Sequence, residues 1–466
     1  MRKGDDVVAE TTGHAGTSIG SGISGVPAQD RGRLSIWIWL FVIGLIIPLF
    51  IFLGPVRLTV YRVALLAAFF PTVLLWLSGR AGGIRFPDIC VVLICLWSSI
   101  SMVVMDGGLG AIVQPLGILW VETLGAYLLG RCYIRTPEAF HAITRLLFWL
   151  AIVLLPFAVF ELFTGRNLFL RLFGIVGPVY WENVQDGRLG LERVQGPFAH
   201  PIHFGVFFGT LTGMFYFVLG YGKSWLRRVR NALLAVLLCF SSLSAGPLVA
   251  AMSQIIFLLW DSIMKSVASR WYIFLGLALV GYFVVDAISD RTPFHVVISY
   301  LAFNSATAYN RIHIWNFGVA SIFDYPLWGI GLTGDWARPN WMVSSMDMFW
   351  IVPAVRHGIL VWIGFLALFF SVFLNVVYRS GFGERIQWYR MGYLCTLTGL
   401  FVVGWTVHFW HALFAFFMFL LASGMWMLDW EESDETGDDG PVDDTRRKTV
   451  PYTRFPAQPA GQDRGA

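Results

Sequence analysis

The chain has 466 residues, 57% of them hydrophobic and only 13% charged, with a formal net charge of +4. Runs of about 20 apolar residues recur along it, the length a helix needs to cross the hydrocarbon core of a bilayer. That composition argues against a string of soluble domains and against a nucleic-acid partner; one polytopic helical bundle is the economical reading.

In chain order, residues 1–33 are polar, rich in Gly and Ser, and predict a disordered cytoplasmic tail. The apolar run that starts at Leu34 is long enough to span, so it reads as an uncleaved helix rather than a signal peptide. Hydropathy predicts twelve spans in a membrane domain at 34–428. The first six lie near 34–54, 58–78, 88–106, 114–133, 142–164 and 201–221. Six more follow near 231–243, 246–263, 271–289, 358–377, 391–408 and 410–428. Between the seventh and eighth, Ser241 to Pro247 combines helix breakers with hydroxyls that can satisfy freed backbone groups, which suits a re-entrant or broken helix. Residues 429–466 open with the acidic cluster from Glu431 to Asp439 and predict a second disordered tail. The 21 Trp and 15 Tyr suit anchoring at span ends. Cys90, Cys95, Cys132, Cys239 and Cys395 form no CxxC pair, so they read as small buried hydrophobes and not as a disulfide framework or zinc site.

Lys and Arg in alternate connections orient the bundle. One set of short loops holds thirteen, from Arg80 and Arg85 through Lys223, Arg227, Arg228 and Arg230 to Arg379, Arg385 and Arg390. The opposite short loops hold only Arg57. By the positive-inside rule the rich set and both termini are cytoplasmic. Two long loops, about 165–200 and 290–357, then lie on the outer face, yet each carries four arginines. Charge that runs against the topological bias needs a local reason, and an anionic lipid-linked substrate supplies one.

The first long loop runs from Arg193 through Gly196, Pro197 and His200 into the sixth span at Pro201, with His203 one turn later. Gly-Pro forces a turn, and Pro201 suits the first turn of a helix. Arg193, His200 and His203 thus meet a helix N-terminus, whose exposed amides favour an anion. The HxxH pair lacks a third ligand at defined spacing, so no metal is assigned. The second loop contains an amphipathic helix from Tyr309 to Phe323, with Ile312, Trp315, Val319 and Ile322 on one stripe. Arg311 flanks the stripe, either turned toward a buried headgroup or merely snorkelling. Downstream, Asp347 and the pair Arg356 and His357 at the mouth of the tenth span offer a candidate base and an anion clamp. Arg62, Glu122 and Glu161 are ionisable groups at membrane depth, which pair within a bundle or line a polar cavity.

The order of these motifs resembles the O-antigen ligase and Wzy-type polysaccharide polymerase superfamily. The matching pieces are Arg193-x-x-Gly196-x-Phe198-x-x-Pro201 entering a span, and Ser-Leu-Ser-Ala-Gly at 242–246 where the family often has Ser-Arg-Gly. Arg311-x-x-x-Trp315 followed by Asp324-Tyr-Pro-Leu-Trp-Gly-Ile-Gly331, and Asp347-x-Phe-Trp350 with Gly358, complete the pattern. The resemblance covers about 34–428, with its motifs concentrated in 190–360.

It implies an all-α integral glycosyltransferase of the GT-C kind in the bacterial inner membrane, independent of metal and cofactor. The donor would be an undecaprenyl-pyrophosphate-linked oligosaccharide on the outer leaflet, with membrane lipid around it and chain-length regulator and flippase proteins as partners. Arg193 and Arg311 match the family's arginines and would bind the pyrophosphate, with Arg356 a third candidate. His200, His203 and Trp315 would contact substrate. Ligases place a histidine base near position 347, and this chain has Asp347 there; Asp347 or His357 takes that role, or the base lies elsewhere. The departure favours a polymerase, extending another carrier-linked repeat, over a ligase acting on lipid A-core. A transporter or flippase for lipid-linked glycan is the reading from another class, and a non-catalytic assembly or sensor protein a further one.

Overall fold

The computed structural model describes residues 33–431 except 55, 184, 291, 293–295 and 297–304, with only the backbone at 109 and 305–308. Most of the two expected tails, and Arg291, lie outside the described residues. The protein is mostly helical, 68% helix and 3% strand. Among the described residues, seven helices are long and apolar enough to cross a membrane. They are α2 (Val60–Leu77), α3 (Phe86–Met105), the run Gly110–Tyr133, α6 (Pro137–Thr164), α11 (Ala245–Ile263), α12 (Arg270–Ile288) and α15 (Ile359–Tyr378).

The other predicted spans are helical but shorter, broken or more polar. At the first, 34–54, the helix is only α1 (Ile36–Ile46), opened by Ser35 Oγ accepting the Trp37 amide at 3.4 Å. Pro48 disfavours a helical residue before it, and Ile47 is extended at φ −87° and ψ 110°. Eleven residues rise only about 16 Å, roughly half the hydrocarbon thickness. A hairpin follows, β1 (Phe50–Leu53) antiparallel to β2 (Val56–Thr59). The fourth span is α4 (Leu109–Trp120) and α5 (Ala126–Tyr133) joined by a π-helical turn, Val121–Gly125, that contains Glu122.

After α7 (Leu168–Gly174), the sixth span divides into α8 (Pro201–Gly209) and α9 (Thr212–Phe217). The seventh is α10 (Trp225–Ser241), which ends where the serine-rich segment predicts a break. Leu243 takes a left-handed φ of 44° there. The hydroxyls of Ser241, Ser242 and Ser244 donate to the carbonyls of Leu238, Cys239 and Ser242 at 2.7–2.9 Å. The amphipathic helix of the second loop is α13 (Ser305–Asp324); α14 (Val352–His357), α15, α16 (Glu384–Gly404) and α17 (Ala412–Ser423) follow.

α17 is the axis of the bundle. Every one of its residues except Phe414 is buried, as expected of a helix that is apolar all round. α5 crosses it closely at Gly130, where a β-carbon would lie 2.5 Å from the Phe419 carbonyl oxygen. Small residues permit such approaches in membranes. α12 is also predominantly apolar, with Arg270 and Asp286 near its ends, yet none of its residues is buried. Beyond the C-terminal end of α17, Asp429 forms ion pairs with Arg85 and Arg131, so this residue of the expected tail belongs to the bundle. The fully buried Arg131 also donates to the Ala81 and Gly83 carbonyls at 2.8 and 3.2 Å and lies 3.7 Å from Asp88. Tyr127 donates to Asp88 at 2.8 Å.

Removing one partner of a buried ion pair leaves the other charge desolvated, at a cost of about 3–5 kcal/mol, whereas an exposed pair contributes roughly 0–1 kcal/mol. Asp88→Ala is therefore expected to lower the thermal unfolding midpoint in detergent far more than Glu182→Ala, which removes the exposed partner of Arg171. Equal shifts would show that the Arg131 cluster does not hold this end of the bundle.

Candidate functional site

At the other end of the bundle the two long loops converge on the break between α10 and α11. Val194 donates its amide to the Ser241 carbonyl at 3.0 Å, laying the chain beside the break. Arg193 then donates to the Ser242 carbonyl at 3.3 Å, to Ser244 Oγ at 2.9 Å and to Gln185. Arg188 sits in a tight turn whose positive φ angles fall at Leu189 and Gly190, and it donates to the Leu243 carbonyl at 2.7 Å. From the second loop, Arg311 on α13 reaches the first turn of α11, where a β-carbon on Gly246 would lie 3.8 Å from its guanidinium. Three arginines thus surround the N-terminus of a 19-residue helix, whose first amides lack intrahelical acceptors.

The electrostatics follow from crowding and burial. Burial pushes Arg193 down to about 10, with the charge of Arg188 adding to the effect. Arg311 is lowered by burial, against the attraction of Asp347 and with the repulsion of Arg188. Burial raises the Asp347 carboxyl, and Arg311 partly offsets this. Three guanidinium groups and one carboxyl group thus meet at this helix start. Among the described residues no hydrogen bond engages the Arg311 guanidinium, although only 7% of the residue is exposed. Asp347 is placed by its neighbours. Phe349 and Trp350 donate their amides to the carbonyls of Val407 and Gly404, and the buried Trp350 indole donates to Phe401 at 2.9 Å.

Glu161 organises the first loop. Its carboxylate accepts the amides of Gln195 and Gly196 at 2.8 and 3.1 Å, and Asn167 at 3.2 Å. This fixes the turn that delivers His200 to the N-cap of α8, where Nδ1 accepts the Ile202 amide at 3.1 Å. Burial and Arg193 push His200 down to about 4, so the ring is neutral. His203, one turn on and 1% exposed, packs edge-on against Trp410 with ring centroids 4.0 Å apart.

Arg356 and His357 have other partners. Arg356 donates to the carbonyls of Gly331, Leu332 and Gly334 at 2.7–3.1 Å. His357 Nδ1 lies 3.3 Å from Ser101 Oγ, and burial, with Arg356 beside it, pushes it down to about 4. Asp106 accepts the amides of Leu332 and Thr333, completing a knot that ties the second loop to α3. Trp315 packs against Trp405 with ring centroids 6.0 Å apart.

The structure thus brings together Arg193, Arg311 and Asp347, with His200 adjoining them through Gln185 and His203 beside His200 with ring centroids 6.4 Å apart. It adds residues that no motif marks. Arg188 lies in an irregular turn without periodicity. The segment Trp405 to His411, dense in imidazole and indole, is hidden inside a hydrophobic run. Arg62 and Glu122 pair with each other at 2.8 Å, and Arg62 reaches His411 Nδ1 at 3.3 Å. No protein-family model matches the chain, and no curated protein matches it significantly.

A folded-state pKa below the unfolded value means that burial disfavours the cationic form of Arg311. That penalty is fully present below the folded pKa, including neutral pH, and fades as pH rises through it. Arg311→Met is therefore expected to keep or raise the thermal midpoint at neutral pH. Arg193→Met loses three hydrogen bonds that hold the loop and is expected to lower it by about 1–3 kcal/mol of stability. A large loss of stability in Arg311→Met would assign that arginine a structural role.

Proposed function

We propose that this protein is a polysaccharide polymerase of the O-antigen ligase and Wzy-type superfamily, a metal-independent glycosyltransferase at the outer face of the bacterial inner membrane. The bundle of twelve apolar segments would hold both termini in the cytoplasm, as the Lys and Arg bias implies. The observation that carries the reading is the convergence of Arg188, Arg193 and Arg311 on the α11 N-terminus with Asp347 beside them. A pyrophosphate in low dielectric calls for cationic, bidentate donors, and guanidinium supplies them.

In this reading the donor is an undecaprenyl-pyrophosphate-linked oligosaccharide. A hydroxyl oxygen of the acceptor, another carrier-linked repeat, attacks the anomeric carbon. The bond from that carbon to the pyrophosphate oxygen breaks, and undecaprenyl pyrophosphate leaves with the electron pair. The arginines offset its developing charge, the electrostatic role of an oxyanion hole. The hydroxyl proton passes to Asp347, preferred to His357 because it faces Arg311 whereas His357 is engaged with Ser101. A raised carboxyl is a better base than an ordinary one, provided it is ionised at working pH. Flippase and chain-length proteins would act before and beside this step.

The test supplies purified carrier-linked repeats to membranes containing the protein, without ATP or added metal. Longer glycans are expected, and Arg193→Ala and Arg311→Ala are expected to cut their formation by about a hundredfold or more, the scale of losing one preorganised charge-stabilising group. Translocation with no new glycosidic bond would identify a flippase instead, and transfer to lipid A-core offered in competition would identify a ligase.

Asp347 must be ionised to accept a proton, and burial holds its pKa above 3.8. The rate is expected to rise with pH through an acid limb above the ordinary aspartate range. Asp347→Asn should abolish that limb along with most of the activity; an unaltered profile removes Asp347 from the base role.

A further inference from the structure

Beside the arginine cluster lies a second group of side chains, different in chemistry. Trp410 is partly exposed on the segment that joins α16 to α17, with His203 packed edge-on at 4.0 Å and His200 and His408 at 6.4 and 5.7 Å. Hydrogen-bond logic fixes two of the imidazoles. A guanidinium only donates, so His411 Nδ1, 3.3 Å from Arg62, accepts, and the neutral ring carries its hydrogen on Nε2. His200 Nδ1 accepts the Ile202 amide, which leaves its Nε2 as a donor too.

Gln185 meets His200 Nε2 through its own amide nitrogen at 3.1 Å, because Arg193 holds the amide oxygen. Two donors therefore lie side by side, and an acceptor oxygen set to one side of the pair would receive both, while the Gln185 amide nitrogen also donates to Asn183 Oδ1 at 3.4 Å. His411 adds an independent sign of purpose. It adopts φ 54° and ψ −133°, a strained conformation for a non-glycine residue that persists only where neighbours over-determine it. The neighbour is a buried chain in which Tyr61 and Arg62 both donate to Glu122, at 2.5 and 2.8 Å, from the π-helical turn. Such turns recur at functional sites.

We propose that Trp410, with His200 beside it and the Gln185 amide that meets His200, forms a neutral carbohydrate subsite that seats a pyranose unit of the lipid-linked glycan beside its pyrophosphate. The inference rests on the pyrophosphate reading of the adjoining arginines. An indole face takes the C–H face of a pyranose, while imidazole and amide donors meet its hydroxyl oxygens. A phosphate calls for the cations found next door, and an isoprenoid chain has no use for donors. Gln185, shared by Arg193 and His200, is the seam between the anionic and neutral halves of one substrate.

The test uses the full chain in lipid nanodiscs. Saturation-transfer NMR is recorded with the methyl pyranosides of glucose, galactose, mannose and N-acetylglucosamine, and inorganic pyrophosphate is titrated separately by calorimetry. At least one pyranoside is expected to receive saturation, and Trp410→Ala is expected to weaken its binding by roughly tenfold, the loss of one aromatic contact. Pyrophosphate binding should survive that change and be lost in Arg311→Met. Trp410→Phe retains a smaller ring and is expected to weaken the pyranoside only a few-fold, which decides the matter if Trp410→Ala fails to fold. No transfer to any pyranoside, or wild-type binding in the Trp410 variants, overturns the subsite. Pyranoside binding without pyrophosphate binding would instead overturn the reading of the arginines and leave the subsite standing.

Discussion

The constraint on which this structure depends is that a buried backbone group in a membrane bundle must find its partner within the protein. Wherever a helix is interrupted, amides and carbonyls are freed, and something must bind them. At the break between α10 and α11, the serine hydroxyls, Arg188 and Arg193 take up freed carbonyls from Leu238 to Ser242 and Leu243. Between α16 and α17, the carbonyls of Gly404 and Val407 receive the amides of Trp350 and Phe349 from the second long loop. Each interruption is therefore also a junction where distant parts of the chain meet.

That requirement explains why charge gathers where it does. Arg193 serves the fold through its hydrogen bonds to the break, and the same bonds aim its guanidinium at the start of α11. Arg311 is buried and, among the described residues, makes no comparable bonds; its electrostatic neighbours are the raised Asp347 and the like-charged Arg188. A buried cation so placed contributes little to stability by itself. At the far end of α17, Arg131 shows the contrast: its carbonyl partners and carboxylates surround it, and its role is to close the bundle.

Much of the candidate site was legible because local chemistry marks it. Gly196-Pro197 and Pro201 announce a turn into a helix, the serines at 241–244 announce a break, and the stripe through Ile312 and Trp315 announces the helix that carries Arg311. Arg188, Gln185 and the imidazole-rich segment at 405–411 were not legible. The partners of Arg188 and His411 lie far along the chain, at Leu243 and Arg62, and those of Gln185, though nearer, follow no helical or strand spacing. Arg356 and His357 looked like a clamp and a base by position, but a carbonyl has no sequence signature, and three of them claim Arg356.

What the sequence determines by itself is the class of the protein: apolar length and periodicity dictate helices, because hydrocarbon leaves the backbone no other partner for its polar groups. It does not determine which helix goes where. α12 and α17 are both predominantly apolar, α12 with Arg270 and Asp286 near its ends, yet α12 buries no residue and α17 buries almost all of its own. In hydrocarbon, apolar side chains gain nothing by leaving lipid for protein, so hydropathy cannot rank them. Close approach at Gly130, the carbonyls at each break and the pairing of Arg62 with Glu122 decide that order, and these exist only once the chain is folded.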